Sequence, residues 1–149
     1  MSKLSALAHS YVVNPTVPAL VHMLAASGGP GLRAAFAAAG LDGVRPAQAV
    51  ALVPLAGGAL HASGLADRLN VSRQAVAQAV KALEAHGYVV RTPDDTDARA
   101  LLIALTPRGW EVLRVMRANA LAVEQHWEHV LGRQRLAELR ETVQLLLDA

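Results

Sequence analysis

The sequence predicts a mainly α-helical protein that carries one small β-hairpin. Apolar residues make up 53% of its 149 positions but aromatic residues only 3%, so the core must be built from Ala, Leu and Val, which favours closely packed helices. Capping residues, Pro and Gly mark the ends of several helical segments. One stretch near the middle instead has the β-rich composition that is typical of two strands joined by a turn.

Composition and charge limit the class of protein. The net charge of +2, from 14 Lys and Arg against 12 Asp and Glu, does not by itself indicate a nucleic-acid partner. No stretch has the roughly 18 uncharged apolar residues of a membrane span, and the N-terminus lacks the pattern of a signal peptide. Cysteine is absent, which excludes a thiol switch and cysteine-ligated zinc and is typical of the cytoplasm, where we expect the protein.

The first of three predicted parts, residues 1–44, is Ala-rich and helical. We predict helices from about Val17 to Ala26 and from about Gly31 to Ala39. Between them, the run Ser27-Gly28-Gly29-Pro30-Gly31 should interrupt any continuous helix, because Pro lacks an N–H and Gly favours turns.

The last part, residues 106–149, is also predicted to be helical. Thr106 suits an N-cap and Pro107 the first helical position of a long helix, which Gly132 should end before a final helix. The apolar residues of the long helix recur at steps of three and four, which predicts one continuous stripe for core or dimer packing. They are Trp110, Leu113, Met116, Ala120, Val123, Trp127 and Val130. The final helix is marked by Leu136, Leu139, Val143 and Leu146.

The middle part, residues 45–105, should hold three short helices. Pro46 sits in the first turn of one, Ser63 can cap a second that runs to Leu69, and Ser72 can cap a third from Arg73 to about His86. The last two helices meet at a tight turn, as in a helix-turn-helix. Asn70 tolerates the left-handed conformation that this turn needs, Ala66 permits close approach, and Val71 is expected to fill the angle between the helices.

The third of these helices has a polar face. Val76, Ala79 and Leu83 should face the core, and Ala77 should keep the centre of the opposite face low enough to enter the major groove of DNA. Arg and Gln can pair with base edges, and a helix N-terminus suits a phosphate. The candidate DNA-binding residues of this helix are Ser72, Arg73, Gln74, Gln78 and Lys81.

A hairpin follows, with strands predicted around Tyr88–Arg91 and Leu101–Leu105 and a loop at Thr92–Arg99. A helix-turn-helix that runs directly into such a hairpin is a winged helix. Arg99 is the candidate for the minor groove and Arg91 for a phosphate. The acidic residues of the loop are unsuited to contact DNA, so at least one of them, with Asp97 as our candidate, should hold the shape of the wing.

The chain resembles the MarR (multiple antibiotic resistance regulator) family of bacterial transcription factors. Three segments carry the resemblance, whose order and spacing agree from about residue 41 to 131: Leu65–Ser72, Val80–Arg91, and Asp97-Ala98-Arg99 followed by Leu105-Thr106-Pro107-Arg108-Gly109. The resemblance implies a homodimer that is joined through its terminal helices and binds a palindromic operator. It also implies regulation, most often repression, and release of double-stranded DNA by a small molecule.

Candidate effector-binding residues near the junction of the helical and DNA-binding parts are His22, Met23, Arg33 and Trp110. We expect no cofactor, no metal and no enzymatic activity, because neither a phosphate loop nor a nucleophile elbow is present. Two alternatives remain open. One is a winged-helix module that binds a protein instead of DNA. The other is a metal-responsive regulator that uses His126 and His129, which are three residues apart on the long helix.

Overall fold

The computed structural model describes Ser5, His9 and residues 13–149, and two helices between residues 17 and 38 are nearly continuous. Helix α1 spans Val17–Ser27 and α2 spans Gly29–Ala38. The predicted interruption is only one residue long, because Gly28 keeps right-handed helical angles (φ −78°, ψ −14°) and its carbonyl accepts from the N–H of Leu32. Pro30 is tolerated because it lies in the first turn of α2, where its missing N–H has no partner to lose.

The middle of the chain is a helix-turn-helix followed by a hairpin. Its elements are α3 (Pro46–Ala49), a 3₁₀ helix (Val50–Gly57), β1 (Leu60–His61), α4 (Ala62–Leu69), α5 (Arg73–Ala85), β2 (Val89–Asp94) and β3 (Asp97–Leu105). The three strands form an antiparallel sheet in the order β1-β3-β2. The predicted winged helix is therefore confirmed, and β1 adds a short strand that the sequence did not predict.

The hairpin is tighter than predicted, because most of the expected loop Thr92–Arg99 belongs to the strands. The ladder continues through Thr92 opposite Leu102 and Pro93 opposite Leu101, which leaves only a short turn after Asp94. Pro93 lies on β2, which is an edge strand of the sheet, the place where strands tolerate Pro.

The C-terminal helices begin and end where the sequence predicts. Helix α6 spans Pro107–Leu131 and α7 spans Arg133–Asp148. The Thr106 hydroxyl caps α6 by accepting from the N–H of Gly109 at 3.1 Å. The two helices separate at Gly132, whose φ of +79° is one that L-amino acids with a side chain rarely adopt.

The core lies between the winged helix and the first turns of α6. Phe36, Leu52, Leu65 and Tyr88 are among its fully buried side chains, and Val112 is the contribution from α6. The fully buried residues of α6 are Gly109, Val112 and Val115, and of the predicted stripe Leu113 and Met116 pack against this core. Trp110 and Val130, which belong to the same stripe, are 51% and 69% exposed, so part of the stripe stays open in one protomer.

The terminal helices present a large apolar surface. On α1 and α7 many Leu, Val and Met side chains are about half exposed or more, and neither helix has a fully buried residue. These side chains are Val17, Leu20, Val21, Met23, Leu24, Val143, Leu145, Leu146 and Leu147. Within the described residues, no helix combines the length and hydropathy that a membrane span needs.

Candidate nucleic-acid interface

The turn between α4 and α5 has the predicted geometry. Asn70 adopts the left-handed conformation (φ 52°, ψ 47°), and the N–H of Val71 donates to the Ala66 carbonyl at 3.1 Å. Ala66 is buried, so the helices approach closely. Val71 does not fill the angle between them, since it is 46% exposed. It lies past the end of α4 and borders a shallow apolar cavity instead.

One of the two predicted helix caps in this unit is correct. The Ser72 hydroxyl accepts from the N–H of Ala75 at 3.1 Å and so caps α5. The prediction that Ser63 caps α4 is wrong, because Ser63 lies inside that helix and the cap position is His61, which makes no capping bond with its side chain. The helix starts early because His61 pairs with Leu102 in the sheet and leads directly into α4.

Helix α5 exposes one polar face and buries the other. Val76, Val80 and Leu83 are buried, so Val80 takes the core position that was predicted for Ala79, which is only half-buried. The predicted DNA-facing side chains all lie exposed on the remaining arc: Arg73, Gln74, Ala77, Gln78 and Lys81. In the part of the chain that the structure describes, no carboxylate lies within ion-pair distance of Arg73 or Lys81.

Backbone contacts hold the wing in shape. Asp97 Oδ1 accepts from the N–H of Arg99 at 3.0 Å. Asp94 Oδ1 accepts from the N–H of Thr96 at 3.0 Å and from its hydroxyl at 2.8 Å. The Thr96 N–H is the largest cause that lowers the pKa of Asp94, since it stabilises the ionised carboxylate. Two acidic side chains of the wing, Asp94 and Asp97, therefore accept hydrogen bonds within the loop.

His61 was not predicted as part of the wing, yet it contacts the wing directly. Its Nε2 lies 2.9 Å from Asp94 Oδ2. His61 and Thr92 both pair with Leu102, and direct partners in antiparallel strands point to the same face of the sheet. No sequence signal would have revealed this contact, because β1 has only two residues and a histidine beside a helix start is common.

The two wing arginines differ in their surroundings. Arg99 is exposed, and among the described residues no carboxylate pairs with it. Arg91 lies on β2 with its Nε 3.2 Å from Glu84 Oε2 at the end of α5. A contact between Arg91 and DNA would therefore compete with this ion pair.

The four candidate effector residues lie on three different helices. His22 and Met23 are exposed on α1, Arg33 is exposed on α2, and Trp110 lies half exposed at the start of α6. Cavities of about 220 Å³ and 100 Å³ flank α5 instead, and none of the four residues lines them. The effector role of these residues stays a prediction.

The histidines considered for metal binding have no carboxylate cluster beside them. The neighbouring acids are engaged, since Glu124 pairs with Arg140 at 2.6 Å and Glu128 with Arg133 at 2.9 Å. The Nδ1 of His129 lies 3.2 Å from the Gln125 carbonyl. Within residues 13–149, together with Ser5 and His9, no group of three or more His, Asp or Glu side chains converges as a metal site would require.

A comparison with known protein families agrees with this geometry. Residues 42–100, which include the helix-turn-helix and most of the wing, match the model of the MarR family. The helix-turn-helix and the wing of this chain are therefore similar to those of the MarR family. The resemblance stated from the sequence is thus confirmed. No curated protein matches the chain significantly.

Solved structures extend the likeness to MarR proteins over most of the chain. A probable transcriptional regulator from Pseudomonas aeruginosa is 25% identical, with a TM-score of 0.63 over 85% of this chain and 96% of that one. Apo MarR from E. coli is 22% identical, with a TM-score of 0.70 over 89% and 97%. A MepR mutant of S. aureus, bound to an oligodeoxyribonucleotide, is 18% identical, with a TM-score of 0.59 over 89% and 96%. The fold is that of MarR-family transcriptional regulators.

Proposed function

We propose that this protein is a homodimeric transcription regulator that binds palindromic double-stranded DNA in the cytoplasm, most simply as a repressor. One observation carries the proposal: the exposed polar face of α5 and the exposed Arg99 of the wing belong to the same compact unit. The fold it shares with a DNA-bound MepR mutant adds support.

Helix α5 is proposed to enter the major groove. Arg73 and Gln74 lie in its first turn, where backbone N–H groups and the helix dipole attract a phosphate. The Ser72 hydroxyl accepts from Ala75 and keeps its own proton for a phosphate oxygen. Gln78 is placed to read a base edge and Lys81 to meet the backbone. The small side chain of Ala77 lets the helix approach the base pairs closely.

The wing is proposed to enter the adjacent minor groove through Arg99. The Asp97 carboxylate holds the Arg99 backbone, so the guanidinium can extend from a fixed loop. Arg91 would meet a phosphate only by loosening its pair with Glu84. Because Asp94, Asp95 and Asp97 repel phosphates, we expect modest affinity at physiological salt.

A second copy of the chain is proposed to cover the apolar surface of the terminal helices. An open groove of about 390 Å³ runs between α1, the end of α6 and α7, lined among others by Leu24, Trp127, Leu136 and Val143. Side chains such as Leu24 and Val143 remain 48% and 43% exposed in one protomer. A contiguous apolar surface of this kind marks an interface. Two-fold symmetry of the dimer then requires two inverted half-sites in the DNA.

Regulation by a small molecule is part of the proposal. The cavity of about 220 Å³ beside α5 is lined by apolar side chains, among them Val50, Leu69, Val71 and Ala79. A ligand that binds there contacts the recognition helix and shifts it only if its affinity differs between the DNA-competent and DNA-incompetent positions. The alternative candidates His22, Met23, Arg33 and Trp110 lie on the flanking helices and would need the partner protomer to form a site.

The test is selection of binding sites from a random duplex library, followed by gel-shift titration of the enriched duplex at two salt concentrations. Arg99→Ala should weaken binding while the protein stays folded and dimeric. Arg114→Ala is the matched control, because among the described residues Arg114 pairs only with Glu111, on the same helix. If the wild type enriches no duplex, the DNA-binding function is wrong and a protein-docking winged helix becomes the better account.

A further inference from the structure

Arg108, the second residue of α6, joins four separate points of the chain. Its Nε donates to the His86 carbonyl at 3.2 Å. Its Nη2 donates to the Gly40 carbonyl at 3.3 Å, to Asp42 Oδ1 at 2.7 Å and to the Tyr88 hydroxyl at 3.2 Å. The guanidinium also lies over the Tyr88 ring, 4.8 Å from its centroid. None of these partners lies on its own helix.

These partners are the places where the winged helix is connected to the rest of the protein. Gly40 and Asp42 belong to the segment that leads from α2 into the winged helix, and Arg108 itself lies directly after the segment that leads out of it. His86 ends the recognition helix α5. Arg108 thus bridges both connections and the end of the helix that carries the proposed base-reading residues.

The surrounding packing makes the junction stiff. Tyr88 is completely buried and its hydroxyl donates to the Asp42 carbonyl. A side chain at Gly43 would overlap the His86 ring, and one at Gly109 would overlap the Tyr88 carbonyl. At Gly109 the backbone of α6 thus meets the backbone of Tyr88 directly, and at Gly43 the backbone packs against the His86 ring, so small rotations are resisted by direct contact.

A small rotation here has a large effect at the DNA. Helix α5 has 13 residues, which at 1.5 Å each places its first residue about 20 Å from the junction. A rotation of about 10° would move that end by about 3.5 Å, close to the rise of one base pair. In a dimer the two recognition helices must match half-sites that lie about 34–36 Å apart.

We propose that Arg108 is a positioning residue that locks the winged helix-turn-helix against the flanking helices and thereby sets the half-site spacing that the dimer accepts. The inference rests on the proposed function as a dimeric DNA-binding protein. An ion pair alone could not do this, because Asp42 is 84% exposed and such pairs are weak. The planar guanidinium of Arg can lock the junction, because it donates to several acceptors at once. Lys could not replace it.

The experiment uses the duplex that the wild type selects from a random library, its isolated half-site, and versions with one or two base pairs inserted or removed at the centre. The proteins are the wild type, Arg108→Gln, Arg108→Lys and Asp42→Asn, with Arg114→Gln as the control for loss of an arginine on α6. Each is first characterised by its melting temperature and oligomeric state. Asp42→Asn removes only the charge of an exposed carboxylate and should fold. The spacing preference can therefore still be tested with this variant if Arg108→Gln does not fold.

We expect Arg108→Gln and Arg108→Lys to keep the half-site affinity within about twofold but to lose about tenfold on the selected duplex, because loosening lowers the effective concentration of the second half-site. Their preference for the selected spacing over the altered ones should fall by a similar factor, and that of Asp42→Asn should fall less. Arg114→Gln should behave like the wild type.

The inference is overturned if the dimeric variants retain the wild-type spacing preference, even where their melting temperatures fall. A purely stabilising role for Arg108 would give that result. If Arg108→Gln does not fold, an unchanged spacing preference in Asp42→Asn and Arg108→Lys overturns it equally. A wild type that selects no duplex would instead contradict the proposed function itself.

Discussion

At the scale of single residues, Gln78 and Lys81 share the exposed face of α5 but are assigned different tasks. Gln78→Ala should lower affinity by about 1–3 kcal/mol and relax the base preference at one position of each half-site, because a base-edge contact is lost. Lys81→Ala should weaken binding to all duplexes alike and reduce the slope of log affinity against log salt by about one per protomer. Titrations on the selected duplex and single-base variants check both. The assignment is contradicted if the two variants lose the same specificity.

Gly109 illustrates a residue whose identity is set by packing. A methyl group there would overlap the Tyr88 carbonyl, which belongs to the backbone and cannot move aside. Gly109→Ala should therefore lower the free energy of unfolding by about 1–3 kcal/mol. Gly64→Ala is the matched control, since Gly64 lies within α4 with open space around it. It should be neutral or stabilising by up to about 1 kcal/mol, because Ala favours the helix. Thermal unfolding of both variants compares them, and equal effects would contradict the packing argument.

Asp42 gives the junction a pH dependence of known sign. Its pKa lies below the ordinary value, owing chiefly to its own backbone N–H and then to Arg108. The resulting stabilisation is complete above the unfolded-state pKa of about 3.9 and is lost as the pH falls through the lower folded-state pKa. The melting temperatures of wild type and Asp42→Asn should thus differ by a constant amount at neutral pH and converge in acid. A difference that grows as the pH falls would contradict this.

At the scale of elements, the sequence predicts best what neighbouring residues decide. Thr106, Pro107 and Gly132 fix the limits of α6 through capping and backbone freedom, and Asn70 and Ser72 fix the turn of the helix-turn-helix in the same way. These features depend on a few adjacent positions. They do not depend on how the chain packs, so they are visible in the sequence.

Elements that depend on tertiary pairing were predicted less well. The strands reach further into the wing than expected because cross-strand pairing and Asp94 stabilise a short turn. Strand β1 exists only because β3 lies beside it. The apolar stripe of α6 was predicted for core or dimer packing without deciding between them, because apolar periodicity runs along the whole helix, whereas only residues in its first turns pack against the core. The roles of Arg108 and His61 come from contacts 20 or more residues away and had no sequence signal of their own.

The cap of α5 is an element-scale prediction. Ser72→Ala removes the acceptor for the Ala75 N–H and should lower the free energy of unfolding by about 1 kcal/mol. Ser63→Ala is the control, because Ser63 lies within α4 and makes no capping bond. It should change stability by less than about 0.5 kcal/mol. Denaturant unfolding of the two variants checks this, and an equal loss would mean that the hydroxyl of Ser72 is not the cap.

At the scale of the whole molecule, the exposed apolar surface of α1 and α7 is where a second copy is proposed to bind. Leu24→Glu places a charge in the groove that a second copy is proposed to fill, and it should shift the protein toward monomer at micromolar concentration. Val53→Glu is the matched control, since Val53 is similarly exposed but lies on the 3₁₀ helix of the winged-helix unit. Sedimentation velocity measures both. A dimer that tolerates Leu24→Glu as well as Val53→Glu places the interface elsewhere.

The central claim is that two copies of α5 read one DNA duplex from its major groove. Methylation interference at guanine N7 on the selected duplex tests it most directly, because N7 lies in the major groove. The account predicts two symmetric groups of interfering guanines whose centres lie about 10 base pairs apart, or a multiple of that distance. Binding that is unaffected by N7 methylation, or affected at a single group, would contradict it.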